Sequence, residues 1–378
     1  MENNNNQHTS FPLIYITNQC NLNCSYCFIK KKTENKFFIS KGEFRNRLSH
    51  LLNNDRNISS LNFTGGEPTL HPQLLDLIDI TKENNIETVI INSNGIELSN
   101  NEQLLQELNN RGVVLALSIN SLPLNKSQER LFAQIKKIKM PVIIITVISN
   151  QNKSFLKELN DFMFATPEII AIEIQPIVFS GENLPKSEED KLLQQKNKCN
   201  YSDIINELSS SSSGKINTNT FCMAGGCNKS CYQVCYFLTL EDGSSDNIPF
   251  SHFLDIKKLE NLLKNSIVLK IDSKVEDFIN ETIYDLWAND GEYNEIILAR
   301  LKKLLKELFS EKPLTDKEKK MTIAKYFKTI GIHNYMDCYT YNQQRVAACS
   351  RHILLSGGKK VSVCMFNNII NEKDEFIF

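Results

Sequence analysis

Pro141-Val142-Ile143-Ile144-Ile145 opens an apolar run that continues to Ile148 and is almost entirely β-branched. A half-exposed strand would alternate apolar with polar residues. An unbroken β-branched run suits a strand buried on both faces, as in a parallel sheet. Outward from it the same unit repeats. The spacing predicts strands at Leu13–Thr17, Ile58–Phe63, Ile86–Asn92, Val113–Ser118, Val142–Ile148 and Ile169–Gln175. Between them it predicts helices at Lys41–Asn54, His71–Glu83, Asn101–Asn110, Lys126–Ile138 and Lys153–Phe164. Right-handed βαβ repetition of this kind gives an α/β fold, either an open barrel or a doubly wound sheet. In both, the loops leaving the carboxyl ends of the strands form the natural site.

The regularity stops near Phe179. Helical patterns follow at Leu184–Lys198, Tyr201–Leu208, Ile256–Lys264, Asn294–Phe309 and Asp316–Thr329, and Ser209–Ser213 with Gly214 reads as a flexible loop. The expected organisation is an unstructured segment over 1–10, a core over 11–180 and a cysteine-rich auxiliary domain over 181–378. With 378 residues and 41% hydrophobic composition the chain can bury a sizeable core. A balance of 43 basic and 44 acidic residues argues against nucleic acid as a partner. No apolar stretch reaches the ~18 residues of a membrane span, and Met1–Ser10 has no signal-peptide core. The expected location is the cytoplasm. Any membrane association would be peripheral, through weakly basic faces such as Lys257–Lys264 and Leu301–Lys306.

Eleven cysteines in such a chain are poor disulfide candidates, and their odd number forbids complete pairing. Metal or cluster binding is the better account. Cys20, Cys24 and Cys27 follow the first strand as C-x3-C-x2-C. Three thiolates can hold three irons of a cubane and leave the fourth open, as a reactive site requires; a structural zinc site would close with four ligands. Gly65-Gly66-Glu67-Pro68 follows the second strand and Ser93-Asn94-Gly95 the third. Glycines let a backbone approach a ligand, and a carboxylate suits an ammonium. Taken singly, each motif has a bland reading as a zinc knuckle or a turn. Their order along successive strands gives the pair its weight.

These residues resemble the signature of the radical S-adenosylmethionine (SAM) superfamily, with Tyr26 as the aromatic before the last cysteine. The resemblance implies a partial (βα)6 barrel and a [4Fe–4S] cluster on Cys20, Cys24 and Cys27. SAM would be held by Gly65, Gly66 and Glu67, with contacts from Ser93, Asn94, Ser118 and Gln175. Asn120 stands where an acid is common in relatives. The implied chemistry is reductive cleavage of SAM to a 5′-deoxyadenosyl radical that takes a hydrogen atom from an unactivated C–H bond. A flavodoxin- or ferredoxin-like donor would supply the electron.

The remaining cysteines are Cys199, Cys222, Cys227, Cys231, Cys235, Cys338, Cys349 and Cys364. All but Cys199 are candidate ligands of an auxiliary iron–sulfur cluster or a rubredoxin-like iron, assembled if the C-terminal segment folds back over Cys222–Cys235. The bland alternative is that several are small buried hydrophobes. His252, His333 and His352 fit surface or capping positions better than ligand positions.

Later blocks resemble the archaeal tetraether lipid synthase branch: Ile174–Gly181, Ile248–Asp255, His333–Asp337, Tyr341-Asn342, Arg345-Val346, Cys349 and Cys364–Asn367. That resemblance implies carbon–carbon coupling of lipid chains. The alternatives are a peptide-modifying maturase of the same superfamily, acting on a peptide rather than a small-molecule or lipid substrate, and a non-catalytic iron–sulfur or zinc redox sensor. The sensor would have no use for Gly65-Gly66-Glu67-Pro68.

Overall fold

The computed structural model describes residues 8–27, 36–55, 58–223, 227–240, 247–262, 273–291, 293–309 and 314–370. Its first half is the repeat expected from the sequence. Strands β1 (Phe11–Thr17), β2 (Ser60–Gly65), β3 (Thr88–Ser93), β4 (Val114–Ser118), β5 (Val142–Ile148) and β6 (Ile169–Pro176) pair in parallel and in sequence order. Helices α1 (Lys41–Asn54), α2 (Leu74–Glu83), α3 (Ile96–Asn100), α4 (Glu102–Asn110), α5 (Lys126–Ile138) and α6 (Phe155–Ala165) cross between them. Each strand sends alternate residues to opposite faces. Ile14, Phe63, Ile91, Leu115 and Ile144 pack against the helices in the main core. Leu13, Tyr15, Ile90 and Ala116 face the lumen.

The described strands form one sheet in the order β12-β11-β1-β2-β3-β4-β5-β6-β10-β8-β7, with β9 on β8. Here β7 is Cys222–Met223, β8 Tyr232–Leu238, β9 Ile248–Pro249, β10 Phe327–His333, β11 Arg351–Leu354 and β12 Lys360–Ser362. Chain beyond residue 180 therefore extends the barrel sheet at both edges, and the boundary expected there is crossed by hydrogen-bonded strands. The two edges meet inside: Phe11 of β1 stacks edge-on to Tyr232 of β8, ring centroids 6.3 Å apart. Helices α7 (Glu188–Asn197), α8 (Tyr201–Ser211), α9 (Ile256–Leu262), α10 (Ser273–Ala288), α11 (Asn294–Leu308) and α12 (Asp316–Tyr326) complete this half. A second apolar cluster lies there, with Tyr236, Ile297, Leu304 and Tyr326 among its buried residues.

Several local expectations need correction. The serine run 209–213 is not simply a loop, because α8 continues through Ser211 and turns only at Ser213 and Gly214, both with positive φ. The helix expected to Thr329 stops at Tyr326, and the chain enters β10. Lysine in mid-strand hid that strand. Lys328 is buried and its Nζ donates to the carbonyls of Thr166 and Ile169, at the end of α6 and the start of β6. Of residues 1–10, expected to be unstructured, 1–7 lie outside the described residues. Thr9 is fully buried: its N–H donates to Asp55 and its hydroxyl bonds His352. His333 and His352 are also buried rather than at the surface.

Candidate active site

The loop after β1 and the loop after β2 approach so closely that only glycine fits. A Cβ on Gly65 would lie 2.1 Å from the Thr17 carbonyl oxygen, and one on Gly66 would lie 2.2 Å from that of Gln19. Gly65 also has φ +136, a value that L side chains avoid. The approach is sealed by backbone hydrogen bonds from Gly66 N–H to Thr17 (2.8 Å) and from Glu67 N–H to Gln19 (2.6 Å). On the other side, Thr17 Oγ1 donates to the Phe37 carbonyl and Ile39 N–H to that of Ile16, which fixes the returning end of the cysteine loop.

Glu67 then ties three strands together. Its Oε1 accepts from the Thr69 hydroxyl (2.6 Å), the Thr69 N–H (3.2 Å) and the Ser93 hydroxyl (2.8 Å), and its Oε2 from the Asn94 N–H (2.8 Å). The carboxylate is 1% exposed. Ser93 and Asn94, expected to contact SAM, thus spend hydrogen bonds on holding Glu67. The Asn94 side chain also donates to Asn21 within the cysteine loop (2.7 Å). The loop after β3 thereby braces the cysteines as well as the glutamate.

Asn120 has a role that the sequence reading left open. Its Nδ2 donates to the Tyr26 hydroxyl (2.7 Å), and its Oδ1 accepts from the Val147 N–H on β5 (2.7 Å). Burial, and then the neighbouring Cys24, push the Tyr26 phenol well above its ordinary pKa, so it stays a neutral donor. No sequence signal distinguishes this asparagine from an ordinary strand-end cap.

Cys20, Cys24 and Cys27 are partly exposed and line one cavity of about 440 Å³. Tyr26, Gly65, Gly66, Glu67, Ser93, Asn94, Ser118 and Gln175 line it too. Its lower wall adds Leu13, Tyr15, Ile145, Val147, Tyr335, Arg351 and Val363. The donor set fits an iron–sulfur cluster with one open corner: three soft thiols sit on a loop pinned at both ends, and the Leu22 N–H points at Cys20 Sγ (3.5 Å). The cavity beside them carries the close-packed glycine backbone and buried carboxylate that suit the amino-acid end of SAM.

Of the other seven candidate cysteines, four gather and three do not. Cys231, Cys349 and Cys364 line a second, smaller cavity, and Cys227 lies within electrostatic reach of Cys349. Each sulfur has a polar neighbour. Cys231 Sγ accepts from Arg345 Nε and Nη2 (3.4 and 3.2 Å), Cys349 from the Arg351 N–H (3.4 Å) and Cys364 from the Met336 N–H (3.2 Å). Cys227 Sγ sits 3.0 Å from the Ser350 hydroxyl. Burial pushes the thiols of Cys349 and Cys364 up to about 12 and about 11. A bound metal would reverse that, because coordination deprotonates the thiol outright. Cys222 and Cys235 instead lie buried on β7 and β8 within apolar clusters, and Cys338 is exposed beside Asp337. Among the described residues no three side chains stand close enough to share a single metal ion. Thiolates spread over the corners of a cluster need not stand that close.

Residues 14–163 match the family described as the Radical SAM superfamily. That segment of the chain is a radical SAM domain. It is 21% identical over 412 residues to 7,8-dihydro-6-hydroxymethylpterin dimethyltransferase of Methanocaldococcus jannaschii, covering 98% of this chain and 79% of that protein. It is 33% identical over 105 residues to GTP 3′,8-cyclase of Chlorobaculum tepidum, covering 28% and 31% of the two. Among solved structures, Streptococcus suis SuiB bound to its precursor peptide SuiA superimposes with a TM-score of 0.40 at 20% identity, over 55% of this chain and 46% of that one. No helix among the described residues is long and apolar enough to cross a membrane.

Proposed function

We propose that Cys20, Cys24 and Cys27 hold the [4Fe–4S] cluster, and that this enzyme abstracts hydrogen from an unactivated C–H bond and forms a carbon–carbon bond there. The observation that carries this reading is a shared cavity: the three thiols and Gly65-Gly66-Glu67 line one space with Leu13, Ile145, Val147 and Val363, and Arg351 is the charged group on its lower wall. When bound, the cluster and SAM supply one-electron reduction of a sulfonium and the hydrogen-atom abstraction that follows. The protein's own residues position and enclose. Asn120 fixes Tyr26 beside the cysteine loop, and Asn94 and Glu67 fix the loops around it. Leu13, Ile145, Val147 and Val363 line the wall where the reacting carbon would lie, and exclude water there.

Ser118 and Gln175, at the carboxyl ends of β4 and β6, are the groups we assign to the nucleoside end of SAM. Cys227, Cys231, Cys349 and Cys364 are our choice for one auxiliary iron–sulfur centre. Their cavity shares Tyr335, Arg351 and Val363 with the first. Coupling of alkyl chains, as in the tetraether lipid synthase branch, is the specific substrate reading. The apolar side chains Leu13, Ile145, Val147 and Val363 along the cavity support it.

Anaerobically reconstituted protein with a strong reductant should release 5′-deoxyadenosine, and Cys24→Ala should abolish that release. A substrate deuterated at its reacting carbon should pass deuterium into the product. Equal yields with and without Cys24 would overturn the assignment.

A further inference from the structure

Arg351 opens β11 in register with Phe11, the first residue of β1. Its backbone therefore lies roughly 20 Å along the strand direction from the start of the cysteine loop, at ~3.3 Å per residue. The side chain nevertheless borders the same cavity as Cys24 and Glu67. Its Nε is buried with no hydrogen-bond partner, and among the described residues no ion pair or side-chain hydrogen bond reaches the guanidinium. The carboxyl of Glu173, which feels its charge, is occupied by the Tyr232 hydroxyl at 2.5 Å and pushed toward its neutral form by burial. The Tyr335 ring face lies 5.9 Å from the guanidinium. Arg351 as a whole is half-buried, and Glu173 and Cys227 are among the groups that favour its charge. What they leave is an Nε sealed from water without an acceptor, which is expensive unless something completes it. The planar fork matches an oxyanion, carboxylate or phosphate, through two parallel hydrogen bonds.

We propose that Arg351 binds an oxyanion of the substrate at the end of the cavity opposite the cysteine loop, so that the reacting carbon is held at a fixed distance from that charged group. The inference stands whether or not the rest of the substrate is an alkyl chain.

The test uses reconstituted holoprotein saturated with SAM, with inorganic phosphate and acetate as probes and calorimetry as readout. One saturable site is expected. Arg351→Gln should weaken it roughly tenfold or more, and Arg351→Lys by less. Tighter phosphate than acetate assigns a phosphorylated substrate, and the reverse order a carboxylic acid. On the unaltered chain, phenylglyoxal should modify Arg351, and the same anions should slow that reaction as mapped by mass spectrometry. This readout survives if the variants do not fold. Unchanged binding in Arg351→Gln means an adventitious ion only and overturns the proposal, as does modification that neither anion slows. Anion binding seen only without SAM, together with weaker SAM binding by Arg351→Gln, gives the site to the carboxylate of SAM and overturns it too. Cys24→Ala should keep the anion site, which separates failure of the cleavage reading from failure of this one.

Discussion

Two groups of thiols in this chain are built on opposite plans. Cys20, Cys24 and Cys27 lie on one loop, and the braces on it among the described residues include the nearby strand ends at Thr17, Gly66, Glu67, Asn94 and Asn120. Cys227, Cys231, Cys349 and Cys364 come from opposite edges of the sheet. They meet only because β8 follows β10 on one edge and β11 joins β1 on the other. The first site is therefore local and should outlast partial unfolding. The second depends on closure of the whole sheet, so loss of edge contacts should dissolve it first.

The largest effect that can break this contrast is on iron content. Cys24→Ala should remove the iron of the first cluster, abolish 5′-deoxyadenosine formation and leave the second centre intact. Cys364→Ala should do the reverse for iron. Cys338→Ser should change neither, since that residue is exposed and stands apart from the other thiols. Iron analysis with Mössbauer spectroscopy of the three proteins decides it. Equal iron in Cys364→Ala and the unaltered chain would dissolve the second site as a metal centre.

The same contrast governs what could be read in advance. Parallel strands apolar on both faces leave apolar runs, so β1 to β6 were legible in outline, although β5 is fully buried on one face only and half-buried on the other, where Ile145 and Val147 line the cavity. C-x3-C-x2-C and Gly65-Gly66-Glu67-Pro68 are contiguous words. The second half has no such grammar. β10 carries Lys328, which needs two carbonyls from another part of the chain, and Gly331, over which the Glu173 carboxylate packs so that a Cβ would meet it at 2.7 Å. β8 is fully buried but lies inside a cysteine-dense stretch, where the thiols drew attention from the strand. Spacing alone cannot separate Cys222 and Cys235 from Cys227 and Cys231. Only pairing does, because Cys222 sits opposite Val234 across two strands and so faces the apolar interior.

A mid-sized effect sharpens the contrast through pH. His352 lies on β11 next to Arg351, buried against Thr9 and Lys360. Burial first, and then the charge of Lys360, depress its pKa to about 4. An unfolded histidine titrates near 6.5. Above that value both states are neutral and nothing is lost. As pH falls from about 6.5 toward 4, the unfolded chain binds a proton that the folded chain refuses. Stability should then drop by about 1.4 kcal/mol per pH unit, up to about 3 kcal/mol. His352→Gln should flatten that slope in denaturant titrations between pH 7 and 4.5. The second centre should also lose iron before the first as pH falls, because β11 carries the edge that closes it. An unchanged slope in His352→Gln would remove this residue from the account.

The smallest effect concerns the local site, and its chemistry makes it a sharp test. Asn120 both donates to Tyr26 and accepts from Val147 N–H. Asn120→Ala loses both of these bonds and a longer one from the Thr146 hydroxyl (3.3 Å), and leaves a strand N–H unpaired, a loss of about 1–2 kcal/mol. If Tyr26 positions SAM, SAM affinity should fall by roughly tenfold. Asn120→Asp keeps the acceptor for Val147. It can also accept from Tyr26, if the phenol turns its one proton from Cys24, with which it is hydrogen-bonded, to the carboxylate. The acid should therefore restore most of the affinity, which a side chain serving only as a spacer would not do. Equal SAM binding by the alanine variant and the unaltered chain would mean that the cysteine loop holds its shape without β4, and the local plan drawn for the first site would have one brace too many.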